Sequence, residues 1–500
     1  METIFYKLIY DRQLKRSLNI LEILYRAENN VTMKELQEKL NISLKSVLPS
    51  LEFTRTLLPS TMTLIVSDKN VQLYQHDTSQ PIDDAMIEIA KSTIPYKVLK
   101  HVFYDGNITI TEFAEQLFIS ESALRTYIKH MNKTLEIFKL SISFRDVKLL
   151  GNETNIRYFF YAYFSEFQEL FVSVCEDKLQ YFSVLYEDMR KTLRIHDNKL
   201  LHYSYQQISR WIFIVRDRLE LGKFVKVKKS LAERIRKRPS YCRFKSVYEV
   251  GISYGLNDTK IPESEVVWAY VLRFNSIVYN NNKDHLLYLD EPDNKLYKEK
   301  FTFILKDAIS ALDIREEDHN DFWYVHMAYF INTSLLTEIS PIFQVSYEPV
   351  KEYVVNNLSR LYATWVDFLI SVPPDKLFPI EDPHTIAVQL AMISSQFVYK
   401  ERTQAKRVLY SFEGDAGFAA HLETLARALL PEGVEGIFLY NEPITSMLIK
   451  QLKPDIFVCN YQGNEEISGC KMLRMSHVPQ IQEWTILKEL IIKPKWHSFM

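Results

Sequence analysis

The apolar positions of "ITITEFAEQLFISESALRTYIKHMNKTL", from residue 108 to residue 135, recur at helical spacing in two runs. A short break at Phe118-Ile119-Ser120 separates them. The pattern predicts two amphipathic helices set at an angle. It is repeated earlier in the chain. "VTMKELQEKLNISLKSVLPSL" begins at Val31 and overlays the later stretch when moved by 77 positions, the difference between 108 and 31. Val31 then meets Ile108, Glu35 meets Glu112, Leu40 meets Leu117, Ile42 meets Ile119, Ser43 meets Ser120 and Val47 meets Leu124. In both copies the serine falls where an N-cap is wanted, its oxygen expected to accept a backbone N–H of the second helix. Strict alternation follows each copy: "TMTLIVSDKNVQLYQ" around Asp68-Lys69-Asn70, and "LSISFRDVKLLGN" around Arg145-Asp146. Both predict a two-strand hairpin.

Two angled helices and a hairpin make a winged helix-turn-helix, whose second helix lies in a DNA major groove. One copy would fit an ordinary helical hairpin as well; a tandem pair favours DNA-binding modules. The copies are not equivalent. Pro49 falls inside the second helix of the first copy, where loss of its N–H is expected to kink or restart the helix. Its candidate contacts are Ser43, Lys45 and Ser46, with Arg55 and Lys69 further off. The second copy offers Ser120, Glu121, Ser122, Arg125, Thr126 and Lys129, and is expected to supply most of the affinity.

From Tyr158 to about residue 280 the pattern is helical and heavily aromatic, as in "YFFYAYFSEFQELF". A second helical block runs from about Leu296 to Tyr399 and includes "FWYVHMAYFINTSLLTEI". The aromatic runs read as helix-bundle core. From Arg407 the rhythm changes to short strand-like runs, "RVLYSF", "GVEGIFLY" and "DIFVCNY", with helical "AAHLETLARALL" and "PITSMLIKQL" between them. That alternation predicts a small parallel α/β domain. The expected division is 1–80, 81–157, 158–285, 286–403 and 404–500, in a mainly α multidomain chain.

Glycine is scarce, 11 in 500 residues, against roughly 7% in ordinary proteins. Such scarcity favours long helices and argues against glycine-rich phosphate cradles. No apolar leader and no 18-residue apolar run occurs, so a cytoplasmic protein is expected. The four cysteines, Cys175, Cys242, Cys459 and Cys470, form no CxxC pair, which argues against a zinc site or a disulfide framework. No cofactor, metal or catalytic residue is expected, since no nucleophile elbow, HExxH, Walker motif or paired-carboxylate pattern is present. The net charge of −2 gives no general attraction to nucleic acid. Residues 1–150 hold 19 Lys+Arg and 18 Asp+Glu, a balance of +1. Charge is concentrated locally instead. Arg125, Lys129, Lys133, Lys139, Arg145 and Lys148 face only Glu136 and Asp146 in the same segment. Arg125, Lys129 and Lys133, spaced by four, share one helix face, and Arg145 and Lys148 sit on the wing. Charge alone would describe a solvated face; joined to the repeat it describes phosphate contact.

This order of parts resembles the Mga/AtxA regulators of Gram-positive bacteria, over essentially all of the chain. That family joins tandem helix-turn-helix modules, two phosphotransferase-system regulation domains (PRD) and a C-terminal domain like the B component of sugar phosphotransferase enzymes (EIIB-like). The resemblance implies transcription regulation, often of virulence genes, binding to double-stranded DNA, a homodimer or higher oligomer formed through the C-terminal domains, and tuning by histidine phosphorylation from the phosphocarrier protein. Its regulation domains usually carry a histidine seven residues before an arginine, with a glycine four further on. Arg218 and Gly222 fit, but Trp211 stands at the histidine position. A later histidine is usual seven residues after a glutamate; from Glu265 that position is Leu272. His202 and His196 are nearby substitutes. In the second block His326 stands where the first histidine would, with Thr333 in place of the arginine, and His384 is a further candidate. The EIIB-like phosphocysteine loop here reads "YSFEGDAGF", with Ser411, Phe412, Glu413 and Asp415 and no cysteine. Cys459 and Cys470 are expected to be buried rather than reactive, and the domain to serve interaction. Two other classes stand beside this reading: a PRD-regulated RNA-binding antiterminator, which lacks tandem helix-turn-helix copies, and an unrecognised enzyme.

Overall fold

The computed structural model describes the chain except for residues 1–2, 28–29, 60, 68, 77–81, 105, 167–203, 254–259, 280–293, 313, 315, 346–347, 374–376, 399–406, 432–433, 441–442, 462–469 and 493–500. Helices dominate the described residues, with small sheets in three places. No described helix is long and apolar enough to cross a membrane.

The first module runs through α1 (Ile4–Leu8), α2 (Arg12–Arg26), β1 (Val31–Thr32), α3 (Met33–Leu40), α4 (Leu44–Leu57), β2 (Met62–Val66) and β3 (Asn70–Gln75). The second comprises α5 (Ile82–Ser92), α6 (Ile94–Phe103), α7 (Ile110–Gln116), α8 (Glu121–Leu135), β4 (Ser141–Ile142) and β5 (Leu149–Leu150). The repeat extends further than the apolar pattern. Both α3 and α7 open with a capping box, Thr32 with Glu35 and Thr109 with Glu112, in which each side chain satisfies the other's backbone N–H. Both turns pass through the left-handed region at the same register, Asn41 at φ 50° and Phe118 at φ 56°. The wings close as expected: β3 pairs antiparallel with β2 and β1, and β4 pairs with β5 through Ile142 and Leu149. Asp68 of the first wing turn lies outside the described residues.

Two local expectations fail. Ser43 does not cap α4; its Oγ shares a hydrogen bond with the Ser46 hydroxyl (2.9 Å), a nearer competitor than the backbone. Ser120 does cap α8, accepting from Ala123 N (3.2 Å). Pro49 neither breaks nor restarts α4, which runs unbroken from Leu44 to Leu57. The proline leaves the Lys45 carbonyl without its i+4 donor, and Lys45 is exposed, so that carbonyl is open to solvent.

Ile20, Leu36, Val47, Leu51, Leu64 and Val71 form a separate small core in the first module. Its α1, however, packs on α8 of the second: Phe5 and Leu8 are buried, and His130 Nε2 donates to the Lys7 carbonyl (2.9 Å). From there α9 (Glu153–Glu166) passes through residues 157 and 158 without interruption. The first helical block continues with α10 (Tyr205–Glu220), α11 (Lys229–Arg236), α12 (Pro239–Ser253) and α13 (Glu263–Leu272). The second has α14 (Asn294–Ala311), α15 (His319–Ile339), α16 (Glu348–Asn357), α17 (Ser359–Ser371) and α18 (Pro383–Val398). Phe159, Phe160, Phe213, Trp268, Tyr270 and Phe330 are buried, so the aromatic runs are core.

At the C-terminus β6 (Arg407–Ser411), β7 (Glu435–Phe438), β8 (Ile456–Cys459) and β9 (Lys471–Arg474) form a parallel sheet in the order β7-β6-β8-β9. The sheet carries α19 (Phe418–Leu429), α20 (Ser446–Leu452) and α21 (Ile481–Ile492). The alternation predicts the first three strands but not β9. Charges at both of its ends leave Met472 and Leu473 as the whole apolar signal. Helix α19 packs against α18, so the α/β unit shares one core with the helical blocks.

Candidate nucleic-acid interface

Helix α8 divides its circumference three ways. Leu124, Ile128, Met131 and Leu135 fill the core, and Tyr127 and His130 meet Tyr10 of the α1–α2 connection. The remaining face is open: Ser120, Ser122, Arg125, Thr126, Lys129 and Lys133 are all exposed. The sequence spacing therefore brings these candidates onto one solvent face. Arg125 is not wholly free there, because its Nε donates to Glu121 (2.9 Å), which also accepts from Thr111 (2.7 Å). Those bonds hold the Glu121 carboxyl below the usual range, the Thr111 hydroxyl contributing most. An approaching phosphate would compete with Glu121 for Arg125. Ser122 shares a hydrogen bond with Ser120, and Thr126 donates to the Ser122 carbonyl.

The wing is fixed to this helix by Asn132, which sequence reading did not single out. Its Nδ2 donates to the Ile142 carbonyl (3.1 Å) and its Oδ1 accepts from Ile142 N (2.6 Å). Arg145 projects from the wing with its side chain 92% exposed, and Lys148 is half-buried. At the turn before α8, Phe118 is 94% exposed. In the first module Ser43, Lys45 and Lys69 are exposed and Ser46 is half-buried. Arg55 is bound to Glu52 (2.9 Å) on the same helix. The open part of α4 is apolar, with Leu44 and Leu48 each more than half exposed. Of the two second helices, α8 thus carries the more cationic face, Arg125, Lys129 and Lys133 against Lys45 and Arg55 on α4.

Behind that module lies a buried ionic network. Arg218 donates to both oxygens of Glu153 (2.9 Å each) and to the Phe103 carbonyl at the end of α6 (2.9 Å). Arg157 donates to Glu153 (3.1 Å), to both oxygens of Glu265 (2.8 and 3.0 Å) and to the Lys223 carbonyl. Arg218 and Glu265 therefore hold α6, α9, α10 and α13 together. Trp211 stacks on Tyr161, ring centroids 4.2 Å apart and ring planes nearly parallel, and donates to Asn275. Helical i,i+4 spacing marks the pair of Glu153 with Arg157, but nothing in the spacing marks Arg218, 65 residues away, as sharing the same anion.

His326 is fully buried. Its Nδ1 bonds the Phe322 carbonyl and its Nε2 the Ser394 hydroxyl (2.8 Å each), between the rings of Phe322 and Trp365. Burial depresses it to about 3, so it is neutral, and no face of the ring is open to a phosphocarrier in this conformation. His384 is exposed at the start of α18, with Nδ1 bonded to Tyr362 (2.8 Å). His202 and His196 lie outside the described residues, as does Cys175. In the C-terminal unit the loop after β6 turns inward rather than out. Glu413 pairs with Arg210 of α10, and Asp415 accepts from Gln389 of α18 (3.2 Å). Burial raises both carboxyls, Asp415 to about 6. Cys459 is buried, its thiol pushed up by burial to about 12, and Cys470 is half-buried. Cys242 is exposed.

Residues 79–164 match the Mga helix-turn-helix domain, which covers the whole second module and most of α9. Among known proteins, one named as a trans-acting regulator in Streptococcus pneumoniae is 23% identical over 338 residues, 65% of this chain and 66% of that protein. The capsule synthesis positive regulator AcpB of Bacillus anthracis is 19% identical over 372 residues, 71% of this chain and 73% of its own. Its counterpart AcpA is 24% identical over 147 residues, 29% of this chain and 30% of its own. The chain thus spans just under two thirds of the first relative and under one third of AcpA. The second module is thus an Mga helix-turn-helix domain, seated where the sequence repeat places it, and the chain is similar along much of its length to proteins named as regulators.

Proposed function

We propose that this protein is a transcription regulator of the Mga/AtxA type that binds duplex DNA through its second winged helix-turn-helix, with the first module in support. The observation that carries this reading is the open face of α8, where Arg125, Lys129 and Lys133 follow a hydroxyl-rich N-terminal turn along one exposed side, with Arg145 exposed on the wing. Lysine and arginine at this spacing hold phosphates, and the serines and threonine of the first turn sit where a recognition helix meets base edges. The division at 80, 157, 285 and 403, a cytoplasmic location and assembly through the C-terminal domains belong to the same reading. Regulator names among the relatives support it. If the phosphocarrier protein acts on this chain, exposure favours His384 over His326 as its target.

The test is a mobility shift with the full chain over a series of salt concentrations. Arg125→Ala with Lys129→Ala should weaken binding to unrelated duplexes alike and reduce the salt slope by about 0.9 per lost contact. Unchanged affinity in a folded double variant would remove the assignment. Tighter binding to single-stranded RNA than to duplex would favour the antiterminator class instead.

A further inference from the structure

The parts of the chain converge on a partly open cavity of about 100 Å³. Phe138 and Tyr161 line it from the second module and α9, Gln207 and Arg210 from α10, and Glu413 and Asp415 from the loop after β6. The polar wall is incompletely satisfied. Gln207 is 2% exposed, and its Oε1 has no hydrogen-bond donor among the described residues. Arg210 is 3% exposed; it donates to Ser165 (2.8 Å) and pairs with Glu413, while its Nε has no acceptor among the described residues. Buried polar atoms are rarely left so, and an acceptor and a donor three residues apart on one helix face ask for a molecule that offers both.

Charge narrows the choice. An entering anion would meet Glu413 and Asp415, and an entering cation would meet Arg210. A neutral hydroxylic molecule donates to Gln207, accepts from Arg210 and buries no net charge. The opposite wall suits its carbon face, since Tyr158 already donates its hydroxyl to the Val345 carbonyl (2.9 Å) and offers only its ring. At about 10–15 Å³ per water, the space holds a small molecule rather than a single solvent molecule. We propose that this cavity binds a small uncharged polyhydroxy compound, a polyol or monosaccharide of roughly three to six carbons, between Gln207, Arg210 and the aromatic wall. Because the cavity joins the second module to the C-terminal loop, occupancy would bias how they dock. That regulatory part rests on the DNA-binding reading; the binding itself does not.

Calorimetry on the full chain, without DNA, would use glycerol, erythritol, D-xylose and D-glucose, with putrescine and inorganic phosphate as charged probes. Millimolar concentrations avoid the general stabilisation that concentrated polyols give any protein. At least one neutral probe should bind saturably. Gln207→Leu, which removes the acceptor, should weaken it by about tenfold, the equivalent of one hydrogen bond. Ala162→Leu, which fills the cavity from α9, should weaken it as well and serves if Gln207→Leu does not fold. The assignment is overturned if no neutral probe saturates, if only a charged probe binds, or if the folded variants bind as tightly as the parent. A mobility shift with the cavity saturated then reads regulation: a changed DNA affinity supports it, and an unchanged one overturns that part alone.

Discussion

Arg218→Met should loosen the second module from the first helical block. The guanidinium is 3% exposed and makes two bonds to Glu153 and one to the Phe103 carbonyl. That carbonyl ends α6, where backbone acceptors lack intrahelical donors, so the arginine also serves as a C-terminal cap. Methionine keeps much of the apolar stem and none of the donors. Removing one partner of a buried pair costs about 3–5 kcal/mol when the other charge is left alone. Glu153 would keep Arg157 (3.1 Å), which lowers that figure, while the orphaned carbonyl adds about 1–3 kcal/mol. A net loss of about 3 kcal/mol follows. Global denaturation would blur this in a chain of several domains, so the assay is native-state hydrogen exchange of the α6 and α10 amides. A loss of about 3 kcal/mol speeds their exchange by roughly 150-fold. Exchange unchanged in both helices would show that the network contributes nothing to docking. A cycle with Glu153→Gln should give a coupling of about 1 kcal/mol or more; simple additivity would refute the pairing.

Gly417→Ala should destabilise the junction between the α/β unit and α18 by about 1–3 kcal/mol, because the new Cβ would lie 2.8 Å from the Gln389 carbonyl oxygen; an unchanged melting temperature would mean that the loop yields freely. Protonation of the buried histidines should weaken the fold. His326 and His421 are held near 3 and His477 near 4 by burial, against 6.5 unfolded, so the unfolded chain binds more protons below that value. The histidine contribution is therefore intact above about pH 6.5 and falls with pH down to the folded values, by about 1.4 kcal/mol per pH unit for each histidine, while the raised carboxyls of Asp415 and Glu166 act in the opposite sense. His326→Gln should reduce the slope of melting temperature against pH between 6.5 and 5, and an equal slope would place the titration elsewhere. Finally, a thiol-reactive label followed by peptide mass mapping should modify Cys242 in the native chain and spare Cys459, whose thiol is buried and raised to about 12; rapid labelling of Cys459 would contradict its burial.

The tandem modules were legible because their chemistry is local. Helical periodicity, the Thr-x-x-Glu boxes before α3 and α7, and the alternation of the wings all act within a few residues. The spacing of Arg125, Lys129 and Lys133 forces them onto one face of α8 whatever surrounds it. Local rules went wrong at Ser43 and Pro49, where a neighbouring hydroxyl and solvent each offered a cheaper solution than the general rule. Histidine 326 shows the same limit: its helix follows from pattern, its burial from α17 and α18 closing over it.

What the chain settles by itself is the order and type of its parts, down to a helix face that carries positive charge. Tertiary structure alone decides what those parts do to one another. Glu153 becomes the shared anion of Arg157 and Arg218, α1 leaves its own module to cover α8, and the acidic loop after β6 turns inward onto Arg210. Apart from the i,i+4 pair of Glu153 with Arg157, these partners stand tens to hundreds of residues apart, so no periodicity records them. They are selected by the cost of burying a charge, which only the packed arrangement of helices imposes.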